Sequence, residues 1–533
     1  MNILIGGAWP YANGPLHIGH IAGLLPGDIL ARYYRAKGDT VFYVSGTDCH
    51  GTPICIKAKK ENKSPQEICD EYHNEFTDVF NRLGFSYDLY GKTTEQWHKD
   101  FVTEFHKQLY KSKYVYEKDS PQAYCNHCEK PLADRLVTGI CPVCGHEANG
   151  EQCDACGNVT DAGNLKEAKC SECGNPVSYY NAKHLYIAIS KLEEQLKDYL
   201  NKHNDWRNNA IAFTKRYIDE GLRDRAITRD LEWGIKVPKE GYEDKRIYIW
   251  AENVLGYLSA SKVLCDKRNI PFDDLWKNDS RHYYVHGKDN IPFHTIILPS
   301  LLLAHNQGYH LPDDIISNEH LTLEGRKIST SKNWAIWAKD IVKEYNPDTI
   351  RFFLVANGPE KRDTDFTWSE FIERNNSELL GIYGNFVNRT LLFIKKYQYN
   401  IVPKGIADEE IQKIINDTYA NAGKNIENGR LKEALQEVIS LVRYGNKYYD
   451  TKEPWKTRTS NIEDCDNTIF NCTQIIANAA VLFRPFIPFS SDKVLSWLDL
   501  SYDWEIKKVK EGYTLPEISI LFERITIPSQ PQP

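Results

Sequence analysis

The sequence predicts an α/β fold in which a parallel sheet is split by a cysteine-rich insertion and followed by an all-α bundle. Three observations carry this reading. Strand-like and helical patterns alternate up to about residue 115 and again over residues 246–305; four CxxC pairs lie in the stretch between; and helical periodicity dominates after about residue 347. The first strand is the short apolar run Asn2–Gly7 (NILIGG), followed by a helical pattern, HIGHIAGLLPGDILARYYRAKG, and a second strand, TVFYVSGTD. A polar helix is expected over residues 64–83. Cys, Gly and Asn then dominate residues 116–176, where neither periodicity holds. The alternation resumes as a strand at 246–250 (RIYIW), a helix at 253–265, a strand at 282–287 (HYYVHG) and an apolar helix at 291–305. One sheet interrupted by an insertion accounts for this order better than two separate sheets. The terminal helices are broken by polar turns near 404–408 and 460–464, and residues 528–533 are expected to fray.

Composition excludes several classes. The chain has 533 residues, 41% hydrophobic and 26% charged, which suits a multidomain globular protein. With a formal net charge of -7, any nucleic-acid contact must come from local basic patches. No basic, apolar leader opens the chain, and the longest apolar run, residues 295–304, is too short to cross a bilayer. Eight of the 14 cysteines fall in close pairs, which suits metal binding in a reducing compartment and a cytoplasmic location. Met1 is the only methionine, a scarcity that composition alone does not explain.

Two motifs point to a nucleotide. Residues 10–20 read PYANGPLHIGH at the junction of the first strand and helix. His17 and His20 are three apart and share a helix face, Gly19 removes a side chain between them, and the helix N-terminus offers N–H groups to phosphates. Taken alone, this is also what a helix start carrying two histidines looks like. The second motif, GRKISTSK at residues 325–332, is a small, basic, hydroxyl-rich loop suited to gripping polyphosphate as charge builds on a leaving group. By contrast Gly91, Lys92 and Thr93 only mimic the end of a phosphate-binding loop. The preceding Gly84 is too distant, and the segment reads as a surface turn.

The pairs Cys125/Cys128, Cys141/Cys144, Cys153/Cys156 and Cys170/Cys173 supply eight thiolates, enough for two tetrahedral zinc ions. The short gap from Cys144 to Cys153 suggests an inner site from the second and third pairs and an outer one from the first and fourth. Sequential pairing is the competing connectivity. Closed four-thiolate sites leave no open coordination position, so one or two structural zinc ions are expected.

Together the two nucleotide motifs resemble the HIGH and KMSKS signatures of class I aminoacyl-tRNA synthetases. Over nearly its whole length the chain is similar to the methionyl-tRNA synthetase family within that class. The similarity rests on PYANGPLHIGH, GTDCHGTP at 46–53, the Cys knuckles, ITRD at 227–230, GKDNIPFH at 287–294 and EPW at 453–455. The resemblance implies a Rossmann-like catalytic domain in two halves (residues 1–115 and 241–320). It also implies a zinc-knuckle connective insertion (116–240), a KMSKS-loop and stem-contact region (321–385) and an anticodon-binding helix bundle (386–533). It implies that L-methionine is activated with Mg-ATP to the adenylate and passed to tRNA(Met), for initiation and elongation of translation.

Under this resemblance His17, Gly19, His20 and the loop residues Lys327, Ser329, Thr330, Ser331 and Lys332 would bind ATP, with His17, His20 and Lys327 catalytic. The family pattern has a second lysine where this chain has Thr330, so the charge falls to Lys327 or, in a shifted role, to Lys332. Asp48 would take the methionine ammonium, and Trp9, Tyr11, Trp250, Tyr257 and His294 would enclose its side chain, sulfur against aromatic rings being favourable. Arg229 and Asp289 would order the site. Trp455 would stack an anticodon base, with Asn385 and Arg389 reaching base edges. No large editing insertion is present, which separates the chain from the isoleucine, valine and leucine enzymes of the class. A monomer is expected, with neither a DNA nor a membrane partner.

Overall fold

The computed structural model describes residues 1–526 apart from 151, 152, 154, 157–159, 161 and 162, so the terminal segment 528–533 expected to fray lies outside the described residues. The central sheet is built from β1 (Asn2–Gly7), β2 (Thr40–Thr47), β3 (Leu89–Lys92), β4 (Ser280–Gly287) and β5 (Asp314–Asn318), in the order β5-β4-β1-β2-β3. All four pairings are parallel; β1 runs from Asn2 opposite Thr40 and Ser280 to Gly6 opposite Val44 and Tyr284. Strands covered on both faces read as continuous apolar runs, and residues 3–7 of β1 are all buried. Strand order reverses between β1 and β4, which opens a crevice at their carboxyl ends where α/β sheets bind ligands.

Helix α1 (Ile18–Ala36) returns from β1 to β2, and α2 (Pro65–Arg82) and α3 (Gln96–Leu109) flank β3. Ser64 caps α2 in a reciprocal box with Glu67, its Oγ accepting from the Glu67 N–H and the Glu67 carboxylate accepting from the Ser64 N–H, with Pro65 in the first turn. The Gly91–Thr93 segment is not a surface turn. Residues 89–92 form the edge strand β3, and the buried Thr93 hydroxyl accepts from the Cys49 N–H at 2.9 Å. A four-residue strand is too short to show a period in sequence. The expected strand at 246–250 is likewise cut down. Only Arg246–Ile247 pairs, with Thr228–Arg229, and the chain turns helical at Ile249.

The insertion leaves the sheet as a long antiparallel pair, Val115–Cys125 with Ser178–Ile187, which carries the cysteine knuckles at its far end. After β5, helix α4 (Pro347–Ala356) joins the catalytic core to the terminal bundle. One buried ion pair locks this junction. Asp28 of α1 accepts from Arg351 of α4 (2.7 Å), Arg32 (2.8 Å) and the Ser86 N–H (2.7 Å), while Arg351 also donates to the carbonyls of Leu83, Pro485 and Phe486. Burial alone would raise the Asp28 pKa, but Arg32, Arg351 and Ser86 outweigh it and hold the carboxyl well below the usual range. Among the described residues no helix is long and apolar enough to cross a membrane.

Candidate active site

The crevice collects both nucleotide motifs. His17 is the N-cap of α1: its Nδ1 accepts from the Gly19 N–H at 3.1 Å, while the His17 N–H donates to His20 Nδ1 at 3.1 Å. The two rings stack 3.8 Å apart. Burial, aided at His17 by the neighbouring His20, pushes their pKa values down to about 2 for His17 and about 4 for His20. Both imidazoles are therefore neutral at pH 7, and with each Nδ1 accepting, the proton sits on Nε2. This corrects one expectation. The first N–H groups of the helix are not open to phosphate, because Ile18 N–H bonds Ile336 O (3.0 Å) and Gly19 N–H is capped by His17. The two Nε2–H groups take no part in these capping bonds.

The segment just after the second motif is sewn to the first. Ile18 N–H donates to Ile336 O and Ala338 N–H to Leu16 O (2.8 Å), a bridge that pairs His17 with Trp337. A Cβ on Gly19 would lie 3.6 Å from Ile328 Cδ1, so Ile328 covers the gap between the histidines. Lys327 ends the short strand Arg326–Lys327, and Thr330–Lys332 form one 3-10 turn, with Lys327, Thr330 and Lys332 exposed and Ser329 half-buried. The Ser331 side chain lies outside the described residues. The loop is anchored by Asp365, whose carboxylate accepts the Gly325 N–H (2.8 Å).

Asp48 follows β2 and is docked to the segment after β1, its N–H donating to Pro10 O (2.8 Å) and its carbonyl accepting from Ala12 (2.9 Å). The side chain is buried and accepts from the His50 N–H (3.2 Å) and from Asn253 Nδ2 (2.6 Å). Burial and the charge of Glu252 push its pKa well above the usual carboxylate value, against those two hydrogen bonds. Beside it, the Trp250 ring stacks 3.4 Å from Phe293 and meets Tyr11 edge-on at 6.1 Å. Trp9 wedges between glycines: a Cβ on Gly46 or Gly256 would fall 2.5 or 2.7 Å from its ring. Tyr257 Oη donates to His294 Nε2 (2.7 Å), because His294 Nδ1–H is given to Asn290 O (2.8 Å) and burial pushes the ring pKa down to about 4. Phe293 and His294 ride a π-helical turn, Phe293–Ile297, a feature recurrent at functional sites. An apolar cavity of about 50 Å³ lies against the Trp250–Phe293 stack, lined in part by Ile187, Ile227 and Ile296.

Tyr11, Asp48 and Trp250 thus belong to one contact network with Phe293 and Asn253, two residues the sequence reading did not assign, while Trp9 and the Tyr257–His294 pair lie on the adjoining segments. Phe293 lies within the GKDNIPFH run, and its neighbour His294 was the only available signal. Arg229 is half-buried over the Tyr248 ring at 3.8 Å and donates to Thr228 O; Asp289 is exposed, 3.9 Å from His320 Nε2.

The cysteines form two groups, Cys125/Cys128/Cys170/Cys173 and Cys141/Cys144/Cys153/Cys156, with the sulfurs of each set all within 4.8 Å of one another. The nested pairing holds and the sequential one does not. Tetrahedral zinc with bonds of about 2.3 Å spaces its sulfurs about 3.8 Å apart, and the closest cross-pair distances, 3.5 Å for Cys125–Cys173 and Cys144–Cys153 and 3.9 Å for Cys141–Cys156, fit that geometry. Gly145 and Gly174 follow their CxxC pairs at φ 75 and 72, which turns the knuckle back on itself.

In the bundle, Glu453 takes a left-handed conformation, Pro454 starts a helix, and Trp455 is left 42% exposed, so it is not a core residue. Arg389 stacks over Tyr449 at 4.2 Å and is held by Asp450 (2.7 Å), and Tyr449 lies 5.8 Å from Trp455. Asn385 is exposed one turn earlier on the Arg389 helix.

Two sequence families match the chain: one described as tRNA synthetases class I (M), over residues 3–391, and one described as the anticodon binding domain of methionyl tRNA ligase, over residues 402–528. It is 51% identical to methionine–tRNA ligase 1 of Alkaliphilus oremlandii (strain OhILAs), over 98% of this chain and 97% of that protein. To methionine–tRNA ligase of Bacillus cereus (strain Q1) it is 50% identical, over 99% and 97%. The fold is also that of Mycobacterium tuberculosis methionyl-tRNA synthetase bound by methionyl-adenylate. The TM-score is 0.82 at 20% identity, covering 98% of this chain and 100% of that one.

Proposed function

Since the chain belongs to the methionine–tRNA ligases of the class I tRNA synthetase family, we propose how its own residues divide that reaction. The observation that supports the assignment is the backbone bridge between His17 and Trp337, just after the second motif, together with the approach of Ile328 to Gly19. Methionine, its ammonium on Asp48 and its thioether among Trp9, Tyr11, Trp250, Tyr257, Phe293 and His294, presents its carboxylate to the α-phosphorus of ATP. The carboxylate oxygen bonds to phosphorus as the bond to pyrophosphate breaks, and no protein nucleophile is required. The Nε2–H groups of His17 and His20 donate to phosphate oxygens as neutral hydrogen-bond donors. Lys327 and Lys332 supply the cationic charge on pyrophosphate, with Gly19, Ser329, Thr330 and Ser331 completing the contact surface. Arg229 and Asp289 order the site.

Magnesium enters with ATP, and zinc in the two cysteine clusters braces the insertion without taking part in the chemistry. The terminal adenosine hydroxyl of tRNA(Met) then attacks the adenylate carbonyl and releases AMP. Trp455, Arg389 and Asn385 read the anticodon, and the chain works as a monomer in the cytoplasm. We divide it into catalytic halves (1–115 and 241–320), insertion (116–240), loop and stem region (321–385) and bundle (386–533). Pyrophosphate exchange without tRNA tests the assignment. It is expected with methionine and with no other amino acid, and Trp455→Ala is expected to keep it while losing tRNA charging; equal loss of both refutes the anticodon role.

A further inference from the structure

Asp48 closes a ring of contacts. Its Oδ1 accepts from the His50 N–H at 3.2 Å, His50 Nδ1 bonds Glu252 Oε1 at 2.5 Å, Glu252 is joined by a peptide bond to Asn253, and Asn253 Nδ2 returns to Asp48 Oδ2 at 2.6 Å. The two sides of the ring are 205 residues apart in sequence. Glu252 is wholly buried, and both histidines approach the same carboxylate oxygen, His98 Nε2 lying 3.5 Å from the Oε1 that His50 also meets. His50, His98 and burial act on it in opposite senses, and the histidines win: its carboxyl is held down at about 2. Two buried carboxylates, Asp48 and Glu252, thus lie near enough for the charge of one to act on the other. The titratable groups around Asp48 are Glu252 across the ring, Cys69 on α2, and its neighbours Cys49 and His50, and among the described residues no lysine or arginine pairs with it. Without a cation beside it, burial and Glu252 push this carboxyl toward its protonated form, and a ligand ammonium favours the ionised form and completes the ion pair.

Taking Asp48 as the ammonium acceptor, as above, we propose that Glu252 and Asn253 are positioning residues that make the pocket specific for an α-ammonium group over an α-hydroxyl. They act on Asp48 in opposite senses. Asn253 and the His50 N–H orient the carboxylate and favour its ionised form. Glu252 adds a second fixed negative charge, so an uncharged substituent leaves the pocket uncompensated. Because Glu252 and Asn253 follow Trp250 by two and three residues, the same ring ties the ammonium end of the pocket to its aromatic wall.

The full-length enzyme tests this through the pH dependence of kcat/KM for methionine in pyrophosphate exchange. Asn253→Ala should move the acid limb to higher pH by about one unit, and Glu252→Gln should move it to lower pH by a similar amount, with KM for ATP changed less than about twofold. Asn253→Ser, which keeps a donor, should bring the limb back toward wild type. Glu252→Gln should also narrow the preference for L-methionine over its 2-hydroxy analogue by about tenfold. A merely structural role would move both limbs the same way or neither, and either result overturns the proposal while Asp48→Asn still abolishes methionine binding. If Asp48→Asn leaves KM for methionine unchanged, the ammonium assignment itself fails.

Discussion

Replacing His17 separates its capping role from its proposed chemical one. In the structure its Nδ1 caps Gly19 and its Nε2–H points away from that bond as a donor. Asparagine is among the best N-cap residues, so His17→Asn should keep the helix start, whereas His17→Ala should lose about 1 kcal/mol of stability. Both should lose the donor. One preorganised donor to developing phosphate charge is worth about 10²–10³ in rate; because His20 supplies a second donor 3.8 Å away, the lower end, about 10² or about 2.7 kcal/mol, is expected. The assay is pyrophosphate exchange alongside thermal melting. With pKa values of about 2 and about 4, both rings stay neutral above pH 6, so kcat/KM for ATP, which reports the free enzyme, should show no histidine limb between pH 6 and 8. The reasoning is refuted if His17→Asn stays within about threefold of wild type, or if wild-type activity falls as pH rises through 6.5 and the variant's does not, since that would mark an imidazolium.

Acid should weaken the fold through its buried histidines. His106, His282 and His294 are pushed by burial to about 4, about 3 and about 4, so the unfolded chain binds protons near pH 6.5 that the folded chain refuses. Their contribution is complete above pH 6.5 and is lost as pH falls toward 4; about 1 kcal/mol per histidine should disappear between pH 7.5 and 5.5, read as a falling denaturation midpoint. Metal content tests the nested cysteine pairing: Cys125→Ser with Cys173→Ser should remove one metal equivalent, whereas sequential pairing would cost both. Arg351→Met leaves Asp28 with Arg32 as its one cation and strands three carbonyls at the junction of α1, α4 and the bundle. A loss of about 3–5 kcal/mol in urea unfolding is expected, and less than about 1 would contradict the weight given to that pair.

Local chemistry made much of this protein legible before any coordinates. Four CxxC pairs announce thiolate sites because both ligands of a pair sit three residues apart; the short Cys144–Cys153 gap suggested nesting, and the sulfur positions chose it over sequential pairing. Two histidines at helical spacing marked the head of α1, and long periodic segments marked the bundle. Where the signal was short or distant, it failed. The strand β3 has four residues and took the guise of a turn; the run at 246–250 is a two-residue strand that passes into a helix at Ile249, a change too local for a period to report. The capping of the α1 N–H groups required Ile336 to arrive from over three hundred residues away. Phe293 and Asn253 became part of the site only because the reversal of strand order between β1 and β4 brings the ends of β1, β2 and β4 to one crevice. The sequence by itself determined the family signatures, the cysteine pairs and the helical segments of the bundle, because ligand spacing and amphipathic period are properties of neighbouring residues. Tertiary structure alone decided which residues share a charge, a proton or a ring contact, because those energies fall off within a few ångströms and depend on where the sheet sets distant segments side by side.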